Sequence, residues 1–296
     1  MSQYALQQLV NGLTLGSLYA LVAIGFSMIY GIVRLINFAH GDIVMVGAFA
    51  TLGLVAVGTP WPVTILLVML VGALAGVTVE AVAFRPMRAA PQVTGFIATL
   101  AVSIVIQNAG VMILSGQPRN FLFPEVMRTR VPLGGATVSL TDLVILGVTL
   151  TLVSALLLIV HRSKLGIAMR ATAENADVAR LMGINVNRTI MLAFALGSGL
   201  AAVAGLLWGG RFGQIDPLLG FVPGLKAFVA SVIGGVGSLT GALLGGYLLG
   251  FAEVLFVGFL PPEYAGYRDA LVFVTLILIL LVLPRGLLGR STEERA

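Results

Sequence analysis

Hydrophobic positions in this chain run on for lengths that suit a lipid bilayer and few other surroundings. A crossing helix needs about 20 apolar residues. The apolar stretches are Leu9–Tyr30, Ile43–Val57, Val63–Phe84, Gly95–Leu114, Leu143–Val160, Ile190–Gly209, Leu225–Val236, Leu239–Phe259 and Ala270–Leu283. Ile43–Val57 and Leu225–Val236 are short, and each adjoins glycine and polar residues. The pattern predicts an all-α, polytopic transmembrane helix bundle of about eight to ten spans, with broken or re-entrant helices. No linker divides the chain, so residues 1–296 read as one transmembrane domain. The N-terminus lacks a positive n-region and a small-residue cleavage site, so the first helix reads as an uncleaved insertion signal.

The longest polar segment, residues 161–189, interrupts this pattern between two apolar stretches. Within it, Thr172 is placed to cap a helix and Glu174 puts negative charge in the first turn. Val178, Leu181 and Met182 fall at i, i+3 and i+4 and form one apolar stripe. Arg180 lies in the last turn, and Gly183 suits the left-handed residue that follows a helix. The spacing predicts a short amphipathic helix over Ala173–Met182. Lying on the membrane surface is one use for such a helix. The stripe is narrow, however, and Glu174 and Asp177 would face anionic lipid. Docking in a groove of a partner protein fits better.

Composition sharpens the membrane reading. The chain is 58% hydrophobic and 10% charged, against roughly 25% charged in soluble domains, and its mean hydropathy is +1.06. Cysteine is absent, which excludes disulfides, thiol catalysis and cysteine-bound zinc. Net charge is +5, but the basic residues lie in short loops without interleaved aromatics, so nucleic acid is not an expected partner. With nine spans, Arg34, Arg85, Arg88, Arg162, Lys164, Arg170, Arg180, Arg188, Arg285, Arg290 and Arg295 share one side. Arg119, Arg128, Arg130, Arg211 and Arg268 take the other, and Lys226 falls at a membrane entrance. The bias predicts a multi-pass membrane protein with its N-terminus outside and its C-terminus cytoplasmic.

Three constellations are candidates for chemistry. Arg34, Asn37, His40, Gly41 and Asp42 crowd a cation, an amide, an imidazole and a carboxylate between two apolar stretches. Irregular backbone at membrane depth must be buried or line a cavity, so these residues read as a broken helix beside a solute path. An ordinary turn with Asp42 as helix cap is the alternative. Gly234, Gly235, Gly237 and Gly241 lack the lysine of a phosphate-binding loop, so they read as a hinge between two half-helices and not as a nucleotide site. Both glycine-interrupted breaks precede Gly/Ala-rich spans, a weak echo between Gly31–Ala50 and Ser231–Gly246 that makes Gly234, Gly235 and Gly237 candidates for a translocation path as well.

The third constellation is the charges within apolar stretches, Glu80, Lys226 and Glu253. Glu80 lies within about a turn of Arg85. Glu253 reads as a hydrogen-bonding group at a helix contact, with proton transport as the alternative. Gln107 and Asn108 read likewise as structural. His40 and His161 are the only histidines, so no hydrolytic motif or metal site is expected, and neither is a cofactor.

Three segments together resemble the permease subunits of branched-chain amino acid ABC importers, the LivH type. They are INFAHGDIVMVGAF (Ile36–Phe49), LGIAMRATAENADVARLMGINV (Leu165–Val186) and the glycine segment Gly234–Gly246, followed by the Pro-Arg-Gly tail Pro284–Gly286. The resemblance covers essentially the whole chain. It implies half of a translocation pathway, completed by a second permease of LivM type, with two cytoplasmic ATPases and a periplasmic solute-binding protein. It also implies that Arg170, Glu174, Asp177, Val178, Arg180, Leu181, Met182 and Gly183 lie in the region that docks on the ATPase. Asn37, His40, Gly41 and Asp42 would then lie at a broken helix near the path. Such permeases carry branched-chain amino acids, and also urea, short amides or organic acids. A stand-alone secondary transporter using Asp42, Glu253 or His40 is the competing class.

Overall fold

The computed structural model describes residues 2–88, 90–121, 123–133, 136–259, 261–283 and 286–289. The basic tail residues Arg285, Arg290 and Arg295, and Pro284 of the tail motif, lie outside the described residues.

Helix α1 (Ser2–Val33) is followed after a break by α2 (His40–Ala56) and α3 (Trp61–Val79). A π-helical turn, Glu80–Phe84, carries α3 into the one-turn α4 (Arg85–Met87). Next come α5 (Gln92–Leu114), the short strands β1 (Arg119–Asn120), β2 (Arg130–Leu133) and β3 (Ala136–Ser139), and α6 (Leu140–Arg162). The polar segment folds as α7 (Lys164–Glu174) and α8 (Ala176–Leu181). The chain then forms α9 (Val186–Phe212), β4 (Gln214–Ile215), α10 (Phe221–Gly234), α11 (Leu239–Phe259) and α12 (Arg268–Val282). Among the described residues, six helical stretches are long and apolar enough to cross a membrane: α1, α3 with α4, α5, α6, α9 and α11. Helix α2 has 17 residues, α10 has 14 and α12 has 15.

The turn-rich segment before α6 is organised by two antiparallel pairings. Strand β1 pairs with β4, and β2 with β3. Helix α6 then starts from a capping box in which Ser139 and Asp142 satisfy each other's backbone N–H groups.

Two three-helix units of opposite direction form the centre. In the first, α1 runs away from the N-terminal end. The chain turns back into the bundle, α2 returns, and α3 crosses again. Helix α2 starts deep inside, because His40 Nε2 lies 3.3 Å from Val22 O. Val22 is 11 residues, or about 16 Å, from the end of α1. In the second unit, α9 runs toward the N-terminal end, where Arg211 Nη2 lies 3.5 Å from Asn11 Oδ1. Helix α10 then starts inside the bundle, and α11 crosses back to place Gly258 O 2.5 Å from Tyr4 OH. The two units form an inverted repeat.

This arrangement corrects the sequence echo. The break before α2 matches the segment 213–220 before α10. The glycine segment after α10 matches the turn between α2 and α3. Positive-φ glycines mark three of these four reversals, with +78° at Gly58, +76° at Gly213, and +105° and +86° at Gly235 and Gly237. Those residue types recur wherever the chain reverses, so glycine spacing alone matched the wrong pair of reversals. The hinge reading of Gly234–Gly241 holds as a turn, but α11 is a full crossing rather than a half-helix.

Small residues let the two units interpenetrate. A Cβ on Gly25 would lie 2.5 Å from Gly197 O, and a Cβ on Gly197 would lie 2.8 Å from Gly25 O. Backbones this close gain packing that larger side chains would forbid. At the opposite end, the N–H groups of Leu287 and Leu288 donate to Ile233 O and Gly234 O at 2.8 and 2.9 Å. They satisfy carbonyls that the end of α10 would otherwise leave open.

Candidate translocation site and coupling face

The N-termini of the half-length helices α2 and α10 meet inside the bundle. Gly41 packs on Gly220 and Gly224, with a Cβ at Gly41 only 2.6 Å from Gly220 O. No side chain caps α2, whose first residue is His40. Asp42 is therefore not the helix cap of the turn reading. It sits in the first helical turn, 1% exposed, and accepts from Gln107 Nε2 at 3.0 Å. The helix begins three residues earlier than that reading requires because the turn at 37–39 already supplies helical hydrogen bonding, His40 N–H to Asn37 O and Asp42 N–H to Ala39 O.

Asn37 and His40 are buried beside it. Among the described residues, Asn37 Oδ1, His40 Nδ1 and Asp42 Oδ2 are buried without a hydrogen-bond partner. Such groups are uncommon in finished cores. Asn37 and Ser103 line a small cavity whose other walls include Phe26, Phe38, Phe221 and Phe228. The break is thus a polar cluster with an aromatic wall, inside the membrane-spanning bundle. The backbone at Arg34 adopts φ +56° to make the reversal.

Gly234 and Gly235 lie at the other end of α10. Gly234 packs on Gly241, and a Cβ on Gly237 would lie 3.4 Å from the α-carbon of Gly31. These glycines are therefore separated from Asn37, His40 and Asp42 by the length of α10.

The polar segment corrects the predicted helix Ala173–Met182. Asn175 breaks it into α7 and α8. The Asn175 side chain accepts the backbone N–H groups of Asp177 and Val178, both at 3.0 Å. A short amide that can satisfy the next helix's free donors competes with helix continuation. Glu174 is consequently the last residue of α7. Thr172 is buried within α7, donating to Ala168 O at 2.8 Å, and caps nothing. The Asn-x-x signal ahead of Val178 was present in the sequence, but Thr172 competed with it as a cap.

The apolar stripe itself faces outward. Val178, Leu181 and Met182 are 52%, 86% and 77% exposed. Arg180 pairs with Asp177 at 2.8 Å. Gly183 has φ +80°, as its place after a helix demands. Arg170 is turned inward and donates to Val160 O. Arg34 Nη2 reaches Ala173 O at 3.4 Å, so the break before α2 touches the α7–α8 unit. Nearby, Glu80 pairs with Arg88 and not with Arg85, and Arg88 also reaches Asn187 of α9.

Glu253 is the centre of a buried network. Its Oε2 accepts from Tyr19 OH at 2.7 Å and Lys226 Nζ at 2.9 Å, and its Oε1 lies 3.2 Å from Arg268 Nε. Lys226, 2% exposed, also pairs with Asp269 at 2.8 Å. Sequence alone saw isolated charges. Their pairing needs α1, α10, α11 and α12 to converge.

These features define a polytopic membrane permease. The family model for the branched-chain amino acid transport system / permease component matches residues 8–282. The LivH high-affinity branched-chain amino acid permease protein of Escherichia coli K12 is 40% identical, covering 99% of this chain and 98% of that protein. The BraD counterpart of Pseudomonas aeruginosa is 40% identical over 98% and 97%. An autoinducer 2 import permease protein, LsrC, of an Enterobacter strain is 28% identical over 96% and 82%. No solved structure matches. The chain belongs to the branched-chain amino acid transport permease family.

Proposed function

We propose that this chain is one of two permeases in an ATP-driven importer of branched-chain amino acids. A LivM-type permease completes the pathway, two cytoplasmic ATPases drive it, and a periplasmic binding protein delivers solute. The observation that carries this reading is the α7–α8 unit. Its exposed Val178, Leu181 and Met182 have no cover among the described residues, while Arg34 ties Ala173 to the break before α2.

Arg34, Arg85, Arg88, Arg162, Lys164, Arg170, Arg180 and Arg188 gather at this end, opposite the N-terminus. That bias supports a cytoplasmic placement. An ATPase groove closing on α8 would shift α7 and, through Arg34, the mouth of the α2 break. ATP moves this equilibrium only because the closed ATPase pair binds it more tightly. Asn37, His40, Gly41 and Asp42 then lie along the solute path, with Gly234, Gly235 and Gly237 as the turn between α10 and α11.

Arg180→Glu combined with Val178→Asp tests the reading. The variant inserts normally and loses co-purification with the ATPases. Retained co-purification, or uptake by vesicles lacking ATP and ATPases, overturns it.

A further inference from the structure

The network around Glu253 borders a second cavity, which the proposed mechanism leaves unused. It opens at the N-terminal end between α1, α9, α11 and α12 and encloses about 200 Å³. That is below the 300–1,000 Å³ of drug-sized ligand sites, so its occupant is a small metabolite. Leu15, Val254, Val257 and Phe212 supply apolar wall, and Gln8, Asn11, Glu253, Arg211 and Arg268 supply polar wall.

The two guanidinium groups are only partly engaged. Arg211 meets Asp142 through Nε at 3.4 Å and Asn11 at 3.5 Å, both long. Arg268 meets Glu253 and Asp269 through Nε alone, at 3.2 and 3.4 Å. Its terminal nitrogens have no hydrogen bond among the described residues. Free guanidinium forks match a carboxylate in shape and charge. Glu253 Oε1 has Arg268 as its single partner among the described residues, at 3.2 Å, and so keeps capacity for a cationic donor. The local charges balance: Arg211, Lys226 and Arg268 against Asp142, Glu253 and Asp269. A neutral field with separated signs favours a molecule that is itself neutral with separated signs.

We propose that this cavity binds the zwitterion of an aliphatic amino acid, its carboxylate between Arg211 and Arg268, its ammonium at Glu253 and its side chain on Leu15, Val254 and Val257. The site would receive solute at the outer face before it reaches the α2–α10 junction. This inference rests on the transport reading for its ligand and sidedness, and on nothing in the coupling face.

The test uses the purified full chain with its co-purifying subunits in lipid nanodiscs, and L-leucine, 4-methylpentanoate and 3-methylbutylamine as probes. L-leucine binds, and the acid and amine that lack one charge bind at least about tenfold more weakly. Arg211→Gln and Arg268→Gln each weaken L-leucine by a similar factor, and the lysine variants by less. Phenylglyoxal labelling of the unmodified chain, read by peptide mass spectrometry, avoids any folding defect. L-leucine slows modification of both Arg211 and Arg268, and 3-methylbutylamine does not. Unprotected arginines, equal binding of the three probes or wild-type affinity in both glutamine variants overturns the site. These outcomes are independent of ATPase co-purification, so the site and the importer reading fail separately.

Discussion

Lys226 and Glu253 form an ion pair 2.9 Å long, buried where α10 and α11 pass α1, with the Lys226 ammonium 5.6 Å from the centre of the Tyr19 ring. Neither charge is tolerable there alone. Removing one partner of a buried pair typically costs about 3–5 kcal/mol, whereas replacing both can be close to neutral. Lys226→Met therefore destabilises the solubilised protein strongly, and so does Glu253→Leu. The double variant recovers much of the loss. A double-mutant cycle on thermal unfolding in detergent reads the coupling, and simple additivity would refute the pair as a stability element.

The Gly25–Gly197 crossing sets the distance between the two inverted units. A methyl group at either position would press on the carbonyl oxygen of the other. Gly197→Ala is expected to cost about 1–3 kcal/mol or more by overpacking. Gly147→Ala is the control, because nothing lies within 4 Å of a Cβ there. In an exposed helix interior that change stabilises by about 0.5–1 kcal/mol. Melting temperatures of the two variants should move in opposite directions.

Asn175 decides where α7 ends and α8 begins. Asn175→Ala removes two side-chain hydrogen bonds to α8 and costs roughly 1 kcal/mol locally. Faster amide exchange at Asp177 and Val178, with exchange in α9 unchanged, is the expected signature. If α8 carries the ATPase contact, ATP-driven uptake falls while the permease stays inserted.

Leu181 is 86% exposed and touches little within the chain. Leu181→Ser should change stability by less than about 0.5 kcal/mol yet weaken ATPase co-purification. An equal loss of both would place Leu181 in the fold and not in an interface.

Gln107 is the described partner of Asp42 on α5, at 3.0 Å. Gln107→Leu takes the donor from Oδ1 of a buried Asp42 whose Oδ2 is already without a described partner, a loss of about 1–3 kcal/mol. Uptake and melting temperature fall together in this variant. Gln107→Asn, with a shorter amide, restores neither unless α5 moves inward.

The six long crossings and the amphipathic character of the polar segment were legible in the sequence because each depends on local periodicity and length. The short stretches Ile43–Val57 and Leu225–Val236 likewise announced α2 and α10 as helices too brief to span. Local pattern failed where two signals competed nearby. Thr172 and Asn175 could each begin a helix, and only packing buried the first and freed the second. Glu80 had two arginines within reach, and only the folded chain shows Arg88 as its partner.

By itself the sequence determined a membrane-embedded helical chain with broken helices, a basic end and an apolar stripe at Val178, Leu181 and Met182. Hydropathy, charge placement and i, i+3, i+4 spacing act over a few residues, so they survive without a fold. Tertiary structure alone decided the inverted pairing of the two units, the meeting of Gly41 with Gly220, and the partners of Glu253. Those contacts join positions up to more than two hundred residues apart in the chain, such as Tyr19 and Glu253. Nothing local encodes them, since they exist only once apposed backbones are brought within van der Waals distance.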